Sequence, residues 1–322
     1  MVKTAFQDKD YKLLYSIIIV NWNTKDYLEK CLKSLETYHN PADGEIIVID
    51  NNSTDGSCKL VEIHFPSVIL IKCKENLGFS KANNLGILQS KGRYLFLINS
   101  DIEILGDCFS ELIYNLESDP LIGILGPKIL NSDMTLQRSW TVFPSLWRII
   151  LRTMALDTLW EHLFRKDADQ NTPTLTSCNE VEVLFGSFWV VRKTSLEEVG
   201  LLDEDYFMYA EDLDWCYRFK KYGWKICYCP QTEVIHYGGI SSSKNPLKYA
   251  LIKRDSDTLF IQKHSAILYL FFVLMNILGD LFRFMCFSTL YMFKRSEHLK
   301  YKVFRSRKLL SNSTYRLIRC QQ

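Results

Sequence analysis

Residues 15–23 read Tyr15-Ser-Ile-Ile-Ile-Val-Asn-Trp-Asn23, an apolar run that ends abruptly at polar, turn-forming residues. A short run of this kind, rich in β-branched side chains, is typical of a strand that is buried on both faces. Apolar positions then recur at helical spacing between Leu28 and Leu35, and Asn23 or Thr24 stands where a helix N-cap is expected. The stretch therefore predicts a strand, a polar turn and a helix.

The same alternation continues through the first third of the chain. Strand-like runs occupy residues 45–50, 68–72 and 93–98, and helical patterns follow Ser53 and Gly78. This order predicts an α/β fold with a doubly wound, mainly parallel sheet, in which ligands gather beyond the carboxyl ends of the strands. No Walker loop and no GxGxxG motif occurs, which argues against a P-loop NTPase and a dinucleotide-binding domain.

Polar residues follow all four predicted strands, which is where that rule places a ligand. The stretches that contain them are Asn21 to Asn23, Asp50 to Gly56, Glu75 to Phe79, and Asn99 to Asp101. Each group alone is also what ordinary turns and helix caps use. Four such groups in succession at one edge of a sheet predict a binding site.

A second polar cluster reads Tyr209-Ala-Glu-Asp-Leu-Asp214, and a lone His236 follows it. The run reads as a helix start, where acidic residues are favoured by the helix dipole whether or not they catalyse a reaction. We expect Asp214 to pair with Arg218, four residues further on. His236 has two interpretations at this point, a structural residue or a ligand.

The C-terminal end carries an unusual charge. From Lys294 to Gln322 there are nine Lys or Arg residues and one acidic residue, Glu297, although the net charge of all 322 residues is only +2. A basic segment of this kind binds anionic lipid or nucleic acid, and its neighbouring sequence decides between them. That neighbour is apolar, which favours a membrane surface and argues against a nucleic-acid partner.

The apolar neighbour runs from Ser265 to Gly279 and is shorter than the about 20 residues that a spanning helix needs. Asp280 and Arg283 follow one turn apart and could pair, which keeps a tilted span that includes them open. We therefore expect residues 256–322 to form an amphipathic, basic tail that lies in the membrane interface as a helix or a hairpin. A tilted span and a buried core helix remain alternatives.

Several motifs, in order over residues 15–242, resemble the family-two inverting glycosyltransferases of the GT-A fold, and within them the rhamnosyltransferase-like branch that builds bacterial surface polysaccharides. They read SIIIVNWN, EIIVIDNNSTDGS, ENLGFSKANN, YLFLINSDIEI, GSFWVVRK, EVGLLDEDYFMYAEDLDWCYRFKKYGWKI and EVIHYGG. The resemblance implies a GT-A type sheet, doubly wound and mixed but mainly parallel, with a helical C-terminal tail.

The resemblance also implies roles in donor binding. Asp50 resembles the acid that accepts a hydrogen bond from the imide of uracil or thymine. The other residues expected to bind the donor are Asn21, Asn23, Asn52, Asn76, Gly78, Asn83, Asn99, Ser100 and Gly186. Asn99 stands where the family has the first acid of its Asp-x-Asp metal motif, so this chain departs from the pattern there.

The implied cofactor is Mg²⁺ or Mn²⁺, because the expected ligands are carboxylate oxygens and one imidazole. These ligands are Asp101, Glu103 and His236. Asp212 resembles the base of the family, and Glu211 and Asp214 are its rivals. A base is needed opposite the leaving group when an acceptor hydroxyl displaces a nucleotide diphosphate.

Together these features predict four segments. Residues 1–14 lead into a nucleotide-sugar-binding half at 15–130; an acceptor half follows at 131–255, and the tail at 256–322. Within the acceptor half, residues 131–180 are expected to be a helical insertion. The apolar side chains of this insertion either pack in the core or form a membrane-facing flap around a lipid-linked acceptor.

Two functions follow as expectations. The first is an inverting, metal-dependent glycosyltransferase that moves rhamnose or a related hexose from a dTDP- or UDP-sugar to a lipid-linked glycan at the cytoplasmic face of the membrane. The second is a catalytically silent, membrane-bound scaffold, which the substitution at Asn99 motivates. A processive polymerase is a poorer match, because no Gln-x-x-Arg-Trp motif follows the acidic cluster.

Overall fold

The computed structural model describes residues 11–153, 178–239 and 245–319. These residues divide into two compact units. Residues 11–143 and 178–239 form the sheet unit, and residues 144–153 and 245–319 form the helical unit. Helix α8, defined below, belongs to the helical unit, so that unit includes residues before the predicted tail boundary at 255.

The strands belong to the sheet unit. They are β1 (Leu13–Asn21), β2 (Gly44–Asp50), β3 (Ile69–Lys72), β4 (Gly92–Asn99), β5 (Ile102–Ile104), β6 (Ile122–Leu130), β7 (Leu136–Gln137), β8 (Trp140–Thr141), β9 (Asn179–Glu180), β10 (Val183–Leu184), β11 (Phe188–Arg192) and β12 (Lys225–His236). In the described part of the chain, ten of them form one sheet in the order β3-β2-β1-β4-β11-β6-β12-β5, with β7 beside β6 and β9 beside β12.

The helices are distributed between the two units. Those of the sheet unit are α1 (Lys25–Tyr38), α2 (Ser57–His64), α3 (Gly78–Gln89), α4 (Cys108–Ser118), α6 (Leu196–Val199) and α7 (Glu211–Lys221). Those of the helical unit are α5 (Leu146–Thr153), α8 (Pro246–His264), α9 (Ala266–Phe293) and α10 (Glu297–Arg319).

The sheet is mixed but mainly parallel, as predicted. Strands β1 to β4 pair in parallel, and β6 pairs in parallel with β12. Strand β11 lies between β4 and β6 and is antiparallel to both. The carboxyl ends of β1, β2, β4, β6 and β12 therefore meet at one edge of the sheet, together with the start of β11.

Both faces of the sheet are covered, which explains why the strands read as unbroken apolar runs. Along β1, Ile17 and Ile19 belong to one buried cluster and Ile18 belongs to the other. The first cluster includes the buried face of α1, at the positions that the helical spacing predicted. The second includes Trp215 and Phe219 of α7, so this helix is anchored through its apolar side.

The predicted helical insertion at residues 131–180 differs from the structure in part. Its described beginning contains strands β7 and β8, and its end contains β9, because these short segments pair with β6, β10 and β12. Helix α5 is helical as predicted. Residues 154–177 lie outside the described residues, and so does the predicted N-terminal segment up to residue 10.

In the helical unit, α9 is one continuous helix of 28 residues. It runs through Asp280 and Arg283 without a turn, so the helix alternative is the one observed and the hairpin is not. The physical reason is pairing: the Asp280 carboxylate is fully buried and accepts from Arg254 at 2.7 Å and from Arg283 at 3.0 Å. Arg254 also donates to the Ser313 hydroxyl at 3.0 Å, so one buried cluster connects α8, α9 and α10.

Candidate active site

The strand registers bring the predicted donor residues to the same edge of the sheet. Asn21 lies directly opposite Asp50 on the neighbouring strand, and Asn99 lies opposite Val20. The Asn99 amide donates to the Ser187 carbonyl at 3.0 Å, which places the chain before β11 beside the end of β4. The edge predicted from sequence is therefore assembled as expected.

Asp50 is held by a buried hydrogen-bond network. Asn21 Nδ2 donates to Asp50 Oδ1 at 2.8 Å, and the Ser53 amide donates to Asp50 Oδ2 at 2.9 Å. The Asn21 Oδ1 accepts from Thr24, whose hydroxyl also lies 2.7 Å from that of Ser100. Because a carboxylate has about four acceptor positions, Asp50 retains capacity for a further donor such as an imide N–H.

The same network includes two of the predicted donor-binding residues, Asn21 and Ser100. Asn21 is fully buried, and both ends of its amide are occupied by protein partners. Ser100 is 6% exposed and its hydroxyl is bonded to Thr24. Their polar side chains bond to protein partners around Asp50 and before Asp101, and their part in donor binding stays a prediction.

Asn23 and Asn52 shape the loops around this network. Both have left-handed backbone conformations, with φ of 53° and 64°, which asparagine tolerates better than most residues. Asn23 Oδ1 accepts from the Thr54 amide at 2.7 Å and so joins the loop after β1 to the loop after β2. Asn52 is exposed at the turn of the second loop.

The turn before α3 is fixed by a residue that the sequence reading did not assign. Asn51 donates to Asn76 Oδ1 and to the Gly78 carbonyl, each at 3.0 Å, and accepts from the Leu77 amide at 2.7 Å. Gly78 has a φ of 82°, and an added Cβ would lie 2.4 Å from the carbonyl oxygen of Phe207. Glycine is therefore required there both by backbone conformation and by space.

Gly78 and Gly186 lie where the start of α3 approaches the turn before α7 and the segment before β11. The Phe79 amide donates to the Phe207 carbonyl at 2.7 Å, so the start of α3 touches the turn that precedes α7. A Cβ on Gly186 would lie 3.1 Å from the Trp189 ring and 3.4 Å from that of Phe79. Asn83, by contrast, is buried within α3 and donates back to the Phe79 carbonyl at 3.0 Å.

Asp101 and His236 lie side by side at the strand ends. Strand β5 pairs with the end of β12, which places His236 opposite Ile102, and the Tyr237 amide donates to the Asp101 carbonyl at 3.0 Å. As a result, His236 Nε2 lies 3.3 Å from Asp101 Oδ1 and 3.4 Å from Asn99 Nδ2.

This pair fits a divalent cation in its chemistry and its spacing. A carboxylate and an imidazole nitrogen are ligands that Mn²⁺ and Mg²⁺ accept. Two adjacent ligands about 2.1 Å from an octahedral ion are separated by about 3 Å, close to the observed separation. A nucleotide diphosphate would supply further oxygens.

Glu103 does not join this pair, contrary to the expected set of three ligands. Its Oε2 accepts from the Tyr237 hydroxyl at 2.5 Å, and this bond raises the pKa of Tyr237 to about 12. The Tyr237 ring lies 5.1 Å from that of Tyr27 on α1, and Lys30 Nζ lies 4.8 Å from its centroid. Among residues 11–153, 178–239 and 245–319, no three His, Cys, Asp or Glu side chains are grouped to hold a metal.

Glu211 and Asp212 begin α7 immediately after a strained turn. Tyr209 and Ala210 both have left-handed backbones, with φ of 69° and 61°, and neither is glycine or asparagine. Each such residue costs on the order of 1–2 kcal/mol and persists only where the surrounding structure enforces it. Glu211 is buried, whereas Asp212 is partly exposed and its Oδ1 accepts from the Leu213 amide at 2.8 Å.

Asp214 has the structural role that its spacing predicted. It is 1% exposed and accepts from Arg218 Nε at 2.8 Å. Arg218 Nη1 in turn donates to the Val199 carbonyl at 2.7 Å, which ties α7 to α6. Asp214 therefore serves as a natural reference for Asp212, since it is an acid of the same helix turn with a different environment.

The comparison with known proteins agrees with this geometry. The family model for glycosyl transferase family 2 matches residues 16–200. The chain belongs to glycosyl transferase family 2. It is 29% identical over 262 residues to N-acetylglucosaminyl-diphospho-decaprenol L-rhamnosyltransferase of Mycobacterium tuberculosis, covering 77% of this chain and 84% of that relative. Rhamnosyltransferase WbbL of Escherichia coli is 26% identical over 232 residues, covering 69% of this chain and 82% of that protein.

The fold has solved counterparts. A mannosyltransferase from Pyrobaculum calidifontis, solved with GDP-Man and Mn²⁺, superposes with a TM-score of 0.57 at 13% identity, covering 98% of this chain and 92% of that one. The architecture is that of the GT-A glycosyltransferases, as predicted. The family assignment makes this protein a glycosyltransferase with rhamnosyltransferase-like relatives that act in glycan synthesis.

Proposed function

We propose that this glycosyltransferase transfers one sugar, rhamnose or a related hexose, from a dTDP- or UDP-sugar to a lipid-linked glycan, with inversion at the anomeric carbon. The observation that carries the proposal is the Asp101–His236 pair at the carboxyl edge of the sheet. The pair supplies two ligands for a cation beside the hydrogen-bond network that orients Asp50. The names of the two relatives, one of which includes a decaprenol diphosphate acceptor, support the choice of substrates.

The proposed reaction is a single displacement. The acceptor hydroxyl oxygen attacks the anomeric carbon, the bond from that carbon to the phosphate oxygen breaks, and the nucleotide diphosphate leaves with the electron pair. Asp212 takes the hydroxyl proton as general base, because it is the more exposed acid of the pair at the start of α7. Buried Glu211 is assigned to shaping that helix start.

The remaining residues bind and orient. Asp50 accepts from the base of the donor, and the Asn76–Gly78 turn approaches its ribose and diphosphate. Asp101 and His236 would hold Mg²⁺ or Mn²⁺, which when bound offsets the negative charge of the departing diphosphate. Asn99 contributes a neutral amide beside this pair, so it adds no further negative charge next to the diphosphate.

Transfer assays with the purified full-length protein test this proposal. A panel of dTDP- and UDP-sugars is offered with a polyprenyl-diphosphate-linked N-acetylglucosamine acceptor, in Mn²⁺, in Mg²⁺ and with a chelator. We expect one donor to be consumed only with metal, and the anomeric configuration of the product to be inverted by NMR. Donor binding without any transfer, across the whole panel, would instead establish the silent-scaffold alternative.

We further propose that the helical unit docks on the cytoplasmic surface of the membrane. Within the described residues, α9 is the one helix long and apolar enough to span a bilayer. Seven of its exposed apolar side chains, however, recur at helical spacing along one face: Ile267, Leu270, Leu274, Leu278, Leu281, Phe282 and Met285; Leu290, Met292 and Phe293 are exposed near its C-terminal end. The buried Asp280 cluster would place three charged groups in the middle of a span, which is costly in hydrocarbon. These features favour a helix that lies in the interface.

Charge supports the same partner. Helix α10 packs against α9 and carries exposed Lys300, Arg305, Arg307 and Lys308. Each basic residue near an anionic bilayer contributes about 1 kcal/mol to binding. An apolar stripe combined with a basic neighbouring helix matches the surface of an anionic phospholipid bilayer.

Substituting Leu274→Glu and Leu278→Glu together should weaken binding to vesicles of anionic phospholipid by about 10²- to 10³-fold, since each leucine buried in the bilayer contributes about 2 kcal/mol. Co-sedimentation of the protein with the vesicles measures this binding. Leu88→Glu is the matched control, because Leu88 is exposed to nearly the same extent as Leu278, 55% against 58%, but lies in the sheet unit. Equal sedimentation of the double variant and the control would exclude this face as the docking surface.

A further inference from the structure

Gln137 lies at the end of the hairpin formed by β6 and β7, beside His236. The hairpin is closed by the backbone N–H of Asn131, which donates to the Thr135 carbonyl at 2.8 Å. Gln137 pairs with Ile129 in the strand register, so its backbone is fixed. Its side chain makes three hydrogen bonds, and two of them involve His236.

The orientation of the Gln137 amide is determined by its partners. Its Nε2 lies 3.1 Å from the backbone carbonyl oxygen of His236, which can only accept a hydrogen bond. The same Nε2 donates to Asn131 Oδ1 at 2.7 Å, and the amide of Asn131 is itself oriented because Nδ2 donates to the Thr135 hydroxyl at 2.9 Å. The NH₂ group of Gln137 must therefore face these oxygens, and its Oε1 must face the imidazole.

This orientation selects one form of the imidazole. His236 Nδ1 lies 2.6 Å from Gln137 Oε1, an atom that carries no hydrogen, so Nδ1 must be the donor. In the neutral ring the second nitrogen, Nε2, then carries the lone pair. That nitrogen is the one that lies 3.3 Å from Asp101 Oδ1.

From this geometry we infer that Gln137 is a positioning residue, which holds His236 in the Nδ1–H tautomer and directs the Nε2 lone pair toward Asp101. The inference rests on the proposed function in one respect. It assumes that the lone pair binds a divalent cation together with the Asp101 carboxylate. Partners that fix the tautomer of a liganding histidine typically change metal affinity by about 10- to 100-fold when removed.

The tautomer is measured directly on the full-length protein without metal. Long-range ¹⁵N–¹H spectra of ¹⁵N-histidine-labelled protein at about pH 8 distinguish a protonated from an unprotonated ring nitrogen. The chain has six histidines, and the spectrum of His236→Gln identifies the signal that belongs to His236. We expect Nδ1–H in the wild type and loss of that preference in Gln137→Met, which keeps the side-chain length and removes the acceptor.

A second readout follows Mn²⁺ by electron paramagnetic resonance in the absence of nucleotide. Gln137→Met should bind Mn²⁺ about 10- to 100-fold more weakly than the wild type. Leu136→Ala is the control: Leu136 is the exposed neighbour of Gln137 on β7, and its loss perturbs the hairpin without removing the acceptor. The control should retain both the tautomer and the Mn²⁺ affinity.

The outcomes separate this inference from the proposed function. An Nε2–H form in the wild type would overturn the inference whatever sugar the enzyme transfers. Unchanged Mn²⁺ affinity in Gln137→Met would likewise refute the positioning role. An Nδ1–H tautomer that depends on Gln137, with the expected loss of Mn²⁺ affinity, would uphold it even if no donor of the panel were consumed.

Discussion

Replacing Asp212 by asparagine is expected to lower kcat by about 10²- to 10⁴-fold, the usual contribution of a general base, with little change in donor affinity. Asparagine has nearly the same shape, and its Oδ1 can still accept from the Leu213 amide, so the start of α7 should be preserved. It cannot take the proton of the acceptor hydroxyl. Single-turnover transfer rates and calorimetric donor binding measure the two parts of this prediction.

Asp214→Asn provides the matched control, since both acids lie in the first turn of α7. Asp214 neutralises Arg218, so its substitution should lower the free energy of unfolding by about 1–3 kcal/mol. The transfer rate per folded molecule should fall far less than in Asp212→Asn. A larger loss of kcat in Asp214→Asn or in Glu211→Gln than in Asp212→Asn would reassign the base.

The fold was largely predictable because each strand and helix of its first half can be recognised from its own residues. Strands β1 to β4 are unbroken apolar runs, and their observed bounds differ from the predicted ones by only a few residues. The position of β11 was not predictable in this way. Phe188–Arg192 is an apolar run like the others, and its antiparallel place between β4 and β6 is set by pairing with residues distant in sequence.

The site was predictable as a location more than as a set of contacts. The alternation of strand-like apolar runs and helical patterns correctly placed Asn21, Asp50 and Asn99 at one edge, but it could not show that the Asn21 side chain is hydrogen-bonded to Asp50 and Thr24. Such pairing depends on side-chain geometry across neighbouring strands. Gln137 lies in the segment that the motifs left unexplained, and no pattern in the sequence identified it.

The same distinction explains the helical unit. The pairing of Asp280 with Arg283 was predictable, since it needs only helical spacing. Arg254 comes from a different helix, and its bond to Asp280 depends on how α8 packs against α9. The sequence therefore indicated the pair within α9 but not the third partner that α8 supplies.

Asp101→Asn should lower metal-dependent transfer by about 10²- to 10³-fold, since stabilisation of the departing diphosphate by a cation is worth several kcal/mol. Asp101 is the one carboxylate beside His236 Nε2 within the described residues, and asparagine replaces it by a neutral donor of the same shape. The apparent affinity for Mn²⁺, measured by titrating transfer activity with the metal, should fall strongly. Nucleotide binding without metal should persist, because the bonds that hold Asp50 do not include Asp101.

Glu103→Gln separates the ligand set expected from sequence from the arrangement in the structure. Glu103 accepts from the Tyr237 hydroxyl, and a glutamine oxygen can still accept that bond. The affinity of this variant for Mn²⁺ should therefore stay close to that of the wild type, whereas the affinity of Asp101→Asn should fall. Equal losses of Mn²⁺ affinity in both variants would show that Glu103 leaves Tyr237 to bind the cation when the donor is present, and that the predicted set of three ligands forms only then.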